Sequence, residues 1–196
     1  ICRLMTDRKP LPGKLAFSRD LFVLLFLLRG MPFVDLAFLR RCDLQGNVIT
    51  YHRRKTSRKL TVVVGKEAME IIQKYMYAIP DSPYLFPIIQ NPGKDEYGQY
   101  ARMLRLQNYR LTQVANILGI RDRLSTYTAR HTWATTALRQ NYNSSLICDA
   151  MGHSSVKVTE TYFQPYRDDE VNRMNSSLIT YILSKKKRGT DKKIRS

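Results

Sequence analysis

Few of the side chains that usually carry catalysis are available in this sequence. His52, His131 and His153 are its histidines, and Cys2, Cys42 and Cys148 its cysteines. None stands with Asp or Glu at metal-ligand spacing, and neither a Walker loop nor a GxGxxG run occurs. These absences argue against metal-dependent nuclease chemistry and nucleotide hydrolysis. What the chain offers lies between Leu124 and Tyr166, LSTYTARHTWATTALRQNYNSSLICDAMGHSSVKVTETYFQPY. Its arginines, histidines and tyrosines suit attack on a phosphodiester. Guanidiniums stay charged and present a planar donor fork to non-bridging oxygens on which negative charge develops. A phenol, with an ordinary pKa of about 10, becomes a nucleophile at neutral pH where cations gather round it. A lysine supplies the proton that a departing 5′ oxygen needs.

Three pieces of this segment, in order and spacing, resemble the catalytic domain of the tyrosine recombinases, the phage-integrase family of site-specific recombinases. TARHTWAT resembles the helix bearing the family's second essential arginine, which implies that role for Arg130. MGHSS resembles its Leu-Gly-His-Ser pattern, which implies the third-box histidine at His153. VTETYF resembles the segment with the nucleophilic tyrosine and implies Tyr162, nine residues past that histidine. Upstream, LLRGMPFVDLAFLRRCDL resembles the stretch with the first arginine, implying Arg29, followed by Asp35 and Asp43. The wide separation of Arg29 from Asp35 resembles the RGM variant of integrases from conjugative elements. RRKTSRKLTVVV resembles the hairpin carrying the family's lysine, implying Lys55.

The resemblance implies that Arg29 and Arg130 clamp the phosphate, while Lys55 swings in on a flexible hairpin tip to protonate the leaving group. His153 would bond the phosphate or handle the proton of Tyr162. The family usually has a histidine three residues before its second arginine, and here Tyr127 stands there. A neutral phenol still donates to phosphate but shuttles protons poorly near pH 7. Implied partners are double-stranded DNA and further copies of the protein, a tetramer on two sites, with no cofactor, metal, membrane or small-molecule substrate. Arg40 or Arg41 competes with Arg29 for the first clamp. Arg53, Arg54, Arg58 and Lys59 share the Lys55 hairpin and are expected to touch DNA phosphates. His131 reads as a satisfied buried histidine, His52 as a surface residue and Trp133 as core.

The elements that must hold these residues can be read from pattern. LFVLLFLL is apolar all round and predicts a central helix capped by Ser18 or Asp20 and ended by Gly30. Pro32 suits the first turn of a short helix through Leu39. Val48–Tyr51 and Leu60–Val64 predict a hairpin around the basic stretch, and a helix follows over Lys66–Tyr77. Residues 80–93 read as an irregular connection, and helices are expected over 95–118, 127–140, 144–151 and 168–183. The fold class is α+β, mainly helical, with a small antiparallel sheet in the N-terminal third. Residues 1–14 read as a linker from a missing N-terminal DNA-binding domain, 15–183 as the catalytic domain and 184–196 as a basic flexible tail. A start at Ile1 rather than Met suggests a fragment.

The formal net charge of +17 is concentrated. Residues 44–66 hold six basic and no acidic residues, and residues 97–159 hold eight basic and two acidic. The tail 185–196 holds seven basic and one acidic, and the remainder is close to neutral. Such blocks predict a polyanionic partner, and the first two should line one DNA-facing cleft. The longest apolar run, Leu21–Leu28, is far too short to span a membrane. Scattered cysteines, odd in number, fit a reducing cytoplasm. Beside the recombinase reading stand a type IB topoisomerase-like relaxing enzyme and a decayed, non-catalytic DNA-binding module.

Overall fold

A helix that is apolar on every side has only the centre of a core to occupy. The computed structural model, which describes residues 1–7, 9–155, 157, 159 and 172–180, puts LFVLLFLL there. In chain order the elements are α1 (Cys2–Thr6), α2 (Gly13–Leu27), α3 (Phe33–Ala37), β1 (Leu44–Gln45), β2 (Val48–His52) and β3 (Lys59–Val63). Then come α4 (Lys66–Tyr75), α5 (Glu96–Ile117), α6 (Thr126–Arg139) and α7 (Ser144–Met151). Helices α4, α5 and α6 all lean on α2, whose Leu21, Leu24 and Leu25 are fully buried. The chain divides into two compact units, Ile1–Tyr162 and Phe163–Ser196. In the second, residues 172–180 are helical, inside the stretch expected as the last helix. The basic tail lies outside the described residues.

The sheet is antiparallel in the order β1-β2-β3, with Val48 opposite Val63, Thr50 opposite Thr61 and His52 opposite Lys59. Strand alternation buries Ile49 and Tyr51 and leaves His52 exposed. Strand β1 adds an edge that the hairpin reading did not include.

Two expectations are corrected. Helix α2 begins at Gly13 behind Pro12, five residues before Ser18, which together with Asp20 is buried inside the helix. Asp20 is an anchor rather than a cap. Its carboxylate accepts from Lys74 Nζ and Tyr75 Oη, both at 2.7 Å, and from Arg19 at 2.9 Å. Burial pushes this carboxyl up, but those hydrogen bonds outweigh it and hold it below the ordinary aspartate range. Asp20→Ala should therefore loosen α4 from α2 and cost about 1–3 kcal/mol, read as a lower denaturation midpoint with an unchanged slope.

The second correction concerns residues 1–14, which are fastened to the fold. Leu4 on α1 is buried, Arg3 Nη1 donates to the Gly119 carbonyl at 2.9 Å, and Lys9 Nζ donates to the Ile117 carbonyl at 2.8 Å. Cations at the C-terminal end of α5 meet its unpaired carbonyls. The stretch 80–93 is irregular as expected, and its Leu85, Phe86, Ile88 and Ile89 are core residues, so local turn chemistry there hides a buried segment.

Candidate functional site

Helix α6 starts from a reciprocal cap: Ser125 Oγ accepts from Thr128 N, and Thr128 Oγ1 accepts from Ser125 N. The amide of Thr126 is held at 2.9 Å by Asn108 Oδ1 of α5. One turn further on, Arg130 is buried at 5% exposure. Its Nη1 donates to the Gly30 carbonyl, and its Nη2 to the Met151 carbonyl at 2.9 Å. Gly30 has φ +66°, and a Cβ there would lie 3.1 Å from Arg130 Cα, so the turn after α2 needs glycine to approach α6 this closely.

Helix α7 ends in a left-handed turn at Gly152, with the His153 amide donating to the Cys148 carbonyl at 3.0 Å. A Cβ on Gly152 would stand 2.7 Å from Arg53 Cδ and 2.8 Å from Leu60 Cδ1, so the hairpin also closes directly onto this turn. Arg130 Nη2 lies 2.6 Å from His153 Nε2. A guanidinium only donates, so Nε2 is the acceptor and the imidazole is neutral. Its proton then sits on Nδ1, 2.7 Å from Thr159 Oγ1. Burial, reinforced by Arg130, Arg53 and Lys55, pushes the His153 pKa down to about 4.

That depression sets a pH dependence. Between pH 6.5 and about 4 the unfolded chain takes up a proton that the folded chain refuses, so stability falls as pH drops through this window. Denaturation midpoints followed across that range should decline, and His153→Gln should remove part of the slope.

The hairpin is bound to the same turn. Arg53 Nη1 donates to the carbonyls of Met151 and Gly152 at 3.1 and 2.7 Å, and Arg58 Nη1 to that of His153 at 3.2 Å. Arg58 also reaches Asp149 at 3.0 Å. These bonds correct two expectations. The tip carrying Lys55 is held at both ends rather than loose. Arg53, expected among the DNA-contacting cations, is 6% exposed and committed to protein acceptors. Arg53 follows Ile49 and Tyr51 at every second position, so strand period directs it inward with them. Arg54 and Lys59 are exposed, and the Arg54 guanidinium stacks 3.8 Å from the Phe38 ring. Beneath the hairpin, Asp35 accepts from the Arg54 amide at 2.9 Å and faces Arg53 Nε at 3.5 Å. Burial raises the Asp35 carboxyl above its usual range despite these partners. Burial likewise pushes the Tyr51 phenol up, with Asp35 adding to the rise and Arg53, Arg130 and Arg29 opposing it.

Lys55, Tyr127, Arg130 and His153 line one pocket of about 470 Å³, floored in part by Asn108 and Thr126. The two folded basic blocks thus meet there. Arg29 is not brought in: it occupies the left-handed turn at φ +59°, donates to the Thr61 carbonyl at 3.3 Å and lines a separate pocket with Trp133. Arg40 and Arg41 do not line the 470 Å³ pocket either, and Arg41 is spent on the carbonyls of Ile79 and Pro80. His131, expected to be buried, is exposed with its ring edge-on to Tyr127 at 6.3 Å, because α6 turns that face outward. Trp133 is half-buried rather than core. Tyr162 lies outside the described residues. Among the described residues, no group of His, Cys, Asp or Glu is placed to hold a metal, and no helix is long and apolar enough to cross a membrane.

Residue-type reading missed Thr56, Asn108, Thr126 and Thr159. For Asn108 and Thr126 a weak signal existed, since a polar pair at a helix start and on a neighbouring helix can cap one another. The other two had none.

Residues 3–168 match the phage integrase family. The tyrosine recombinase XerC of Thermodesulfovibrio yellowstonii is 26% identical over 167 residues, covering 78% of this chain and 52% of that protein. This chain therefore spans about half the length of that curated relative. Among solved structures, XerA recombinase matches with a TM-score of 0.61 at 19% identity, covering 90% of this chain and 60% of its own. The Tn1549 transposon integrase in complex with a circular intermediate DNA matches with a TM-score of 0.62 at 18% identity, covering 87% and 67%. At these identities the two structures speak for the fold: it is that of tyrosine recombinase catalytic domains.

Proposed function

Because the chain belongs to the phage integrase family, we propose that it is the catalytic portion of a site-specific DNA recombinase that integrates or excises a mobile element. The observation that carries this reading is the meeting of Lys55, Tyr127, Arg130 and His153 in one pocket, from segments far apart in sequence. A hairpin lysine, a buried guanidinium and a neutral imidazole together make a cradle for a scissile phosphate.

In the proposed reaction Tyr162 Oη attacks phosphorus. A tyrosyl O–P bond forms at the 3′ side and the P–O5′ bond breaks. The phenol's proton passes to solvent while neutral His153 holds Arg130 through Nε2, and Lys55 gives its proton to the departing 5′ oxygen. Religation runs the same steps backwards with the 5′ hydroxyl of an exchanged strand. Arg130 neutralises charge on the non-bridging oxygens, and its bonds to backbone hold the guanidinium still as that charge develops. Tyr127 donates a hydrogen bond to the phosphate from the rim. Arg54, Arg58 and Lys59 meet the flanking backbone of duplex DNA, and two pairs of protomers assemble on paired sites.

The test uses the full-length protein and nicked suicide duplexes drawn from the DNA flanking its own coding sequence. A denaturant-resistant adduct at a 3′ phosphate is the expected product. Binding without any adduct would leave only a non-catalytic module, which the Tyr127 position favours. Relaxation of supercoiled plasmid lacking paired sites would indicate a type IB topoisomerase-like enzyme.

A further inference from the structure

The hairpin around Lys55 is closed by its own backbone and then fastened from below. The Arg53 amide donates to the Arg58 carbonyl at 2.9 Å, and the Ser57 amide to the Arg53 carbonyl at 2.8 Å, with Ser57 at φ +53°. Thr56 Oγ1 reaches the Gly152 carbonyl at 3.4 Å. The deepest tie is Arg53, two residues from Lys55, whose guanidinium spans the Met151 and Gly152 carbonyls on one side and Asp35 on the other. The Met151 carbonyl also accepts from Arg130. One main-chain oxygen therefore joins the arginine under the lysine to the arginine of the proposed phosphate clamp.

We propose that Arg53 is a positioning residue for the proton donor: it locks the Lys55 hairpin onto the turn that holds Arg130 and His153. The inference rests on the recombinase reading and deepens it. Lys55 is itself exposed, on a stem of rotatable bonds, and can protonate a leaving oxygen only from hydrogen-bond distance. Anchoring the backbone on either side of it removes most of that search. The anchor must donate to two carbonyls at once while facing a buried carboxylate. A planar, permanently charged fork meets that demand, and a lysine's point charge does not.

The chemistry of the leaving group separates positioning from mere structure. In a 5′-bridging phosphorothiolate the departing atom is a thiolate, which leaves without a proton, so a defect in proton donation disappears on that substrate. Single-turnover adduct formation should be measured on the suicide duplex and on its 5′-thio counterpart. The proteins are the full-length wild type, Arg53→Lys, the neutral pair Asp35→Asn with Arg53→Met, and the controls Lys55→Ala and Arg130→Lys. On the ordinary duplex Arg53→Lys should be slower by about 100-fold. On the 5′-thio duplex it should return to within about threefold of wild type, as Lys55→Ala does, because no general acid is needed there. Arg130→Lys should stay slow on both.

If both Arg53 variants cleave the ordinary duplex at the wild-type rate, the inference is overturned. It is equally overturned if they are slow on both duplexes while Lys55→Ala is rescued, since Arg53 would then serve only the fold. The neutral pair keeps the test open should a buried Asp35 without its arginine unfold the single variant. A wild type that forms no adduct on either duplex removes the recombinase reading itself, and this inference with it.

Discussion

Replacing Tyr162 by Phe should abolish the denaturant-resistant DNA adduct, by at least about four orders of magnitude, while leaving duplex binding intact. The size of the effect follows from covalency: phenylalanine has no oxygen with which to form the bond to phosphorus, and water attacking the same phosphate would leave no protein–DNA link. Binding should survive because, in the proposed reading, it draws on the cations of the basic hairpin and of α6, and the substitution removes no charge. The chain has 12 tyrosines, so the assignment needs a control. Among the described residues the exposed tyrosines are Tyr77, Tyr97, Tyr109, Tyr127 and Tyr142, and of these only Tyr127 lines the pocket with Lys55 and Arg130. Tyr127→Phe should therefore keep the adduct and slow its formation modestly. Adduct that persists in Tyr162→Phe and vanishes in Tyr127→Phe would transfer the nucleophile to Tyr127.

Arg130→Lys carries the second large effect. Cleavage should fall by about 100- to 1,000-fold, the usual cost of losing one oriented donor to a developing oxyanion. A stability loss of about 1–3 kcal/mol should accompany it for each buried acceptor left unpaired. Gly30 O and His153 Nε2 depend on the planar fork, Met151 O keeps its bond from Arg53, and an ammonium cannot reach all three together. The two consequences separate by measurement. Denaturation reads the orphaned acceptors, and single-turnover cleavage of pre-bound DNA reads the clamp. A variant less stable yet normal in cleavage would show that Arg130 serves the fold alone.

Local pattern made much of this architecture legible. β-Branched richness marked β2 and β3, helical spacing marked α4, and the all-apolar run marked α2 within a few residues, because each element is stabilised by the same side chains that identify it. Misplacement came where tertiary contacts replace local signals. Ser18 and Asp20 have the chemistry of caps, yet α2 runs past them because Asp20 finds Lys74 and Tyr75 on another helix. Residues 80–93 carry turn-forming prolines and still supply the core with Leu85 and Phe86.

For the site, the motifs that resemble the phage-integrase family nominated Lys55, Arg130 and His153, and the fold brings these three together. Which cations stay exposed and which are turned to protein acceptors was decided only by the tertiary structure. Arg53, nominated for DNA, is buried under the hairpin, and Arg29, nominated for the clamp, lies against Thr61. The reason is physical. The partners that settle these positions are the main-chain carbonyls of Gly30, Thr61, Met151, Gly152 and His153. Every residue has such a carbonyl, so no side-chain pattern announces which will be turned toward a guanidinium until the chain has folded.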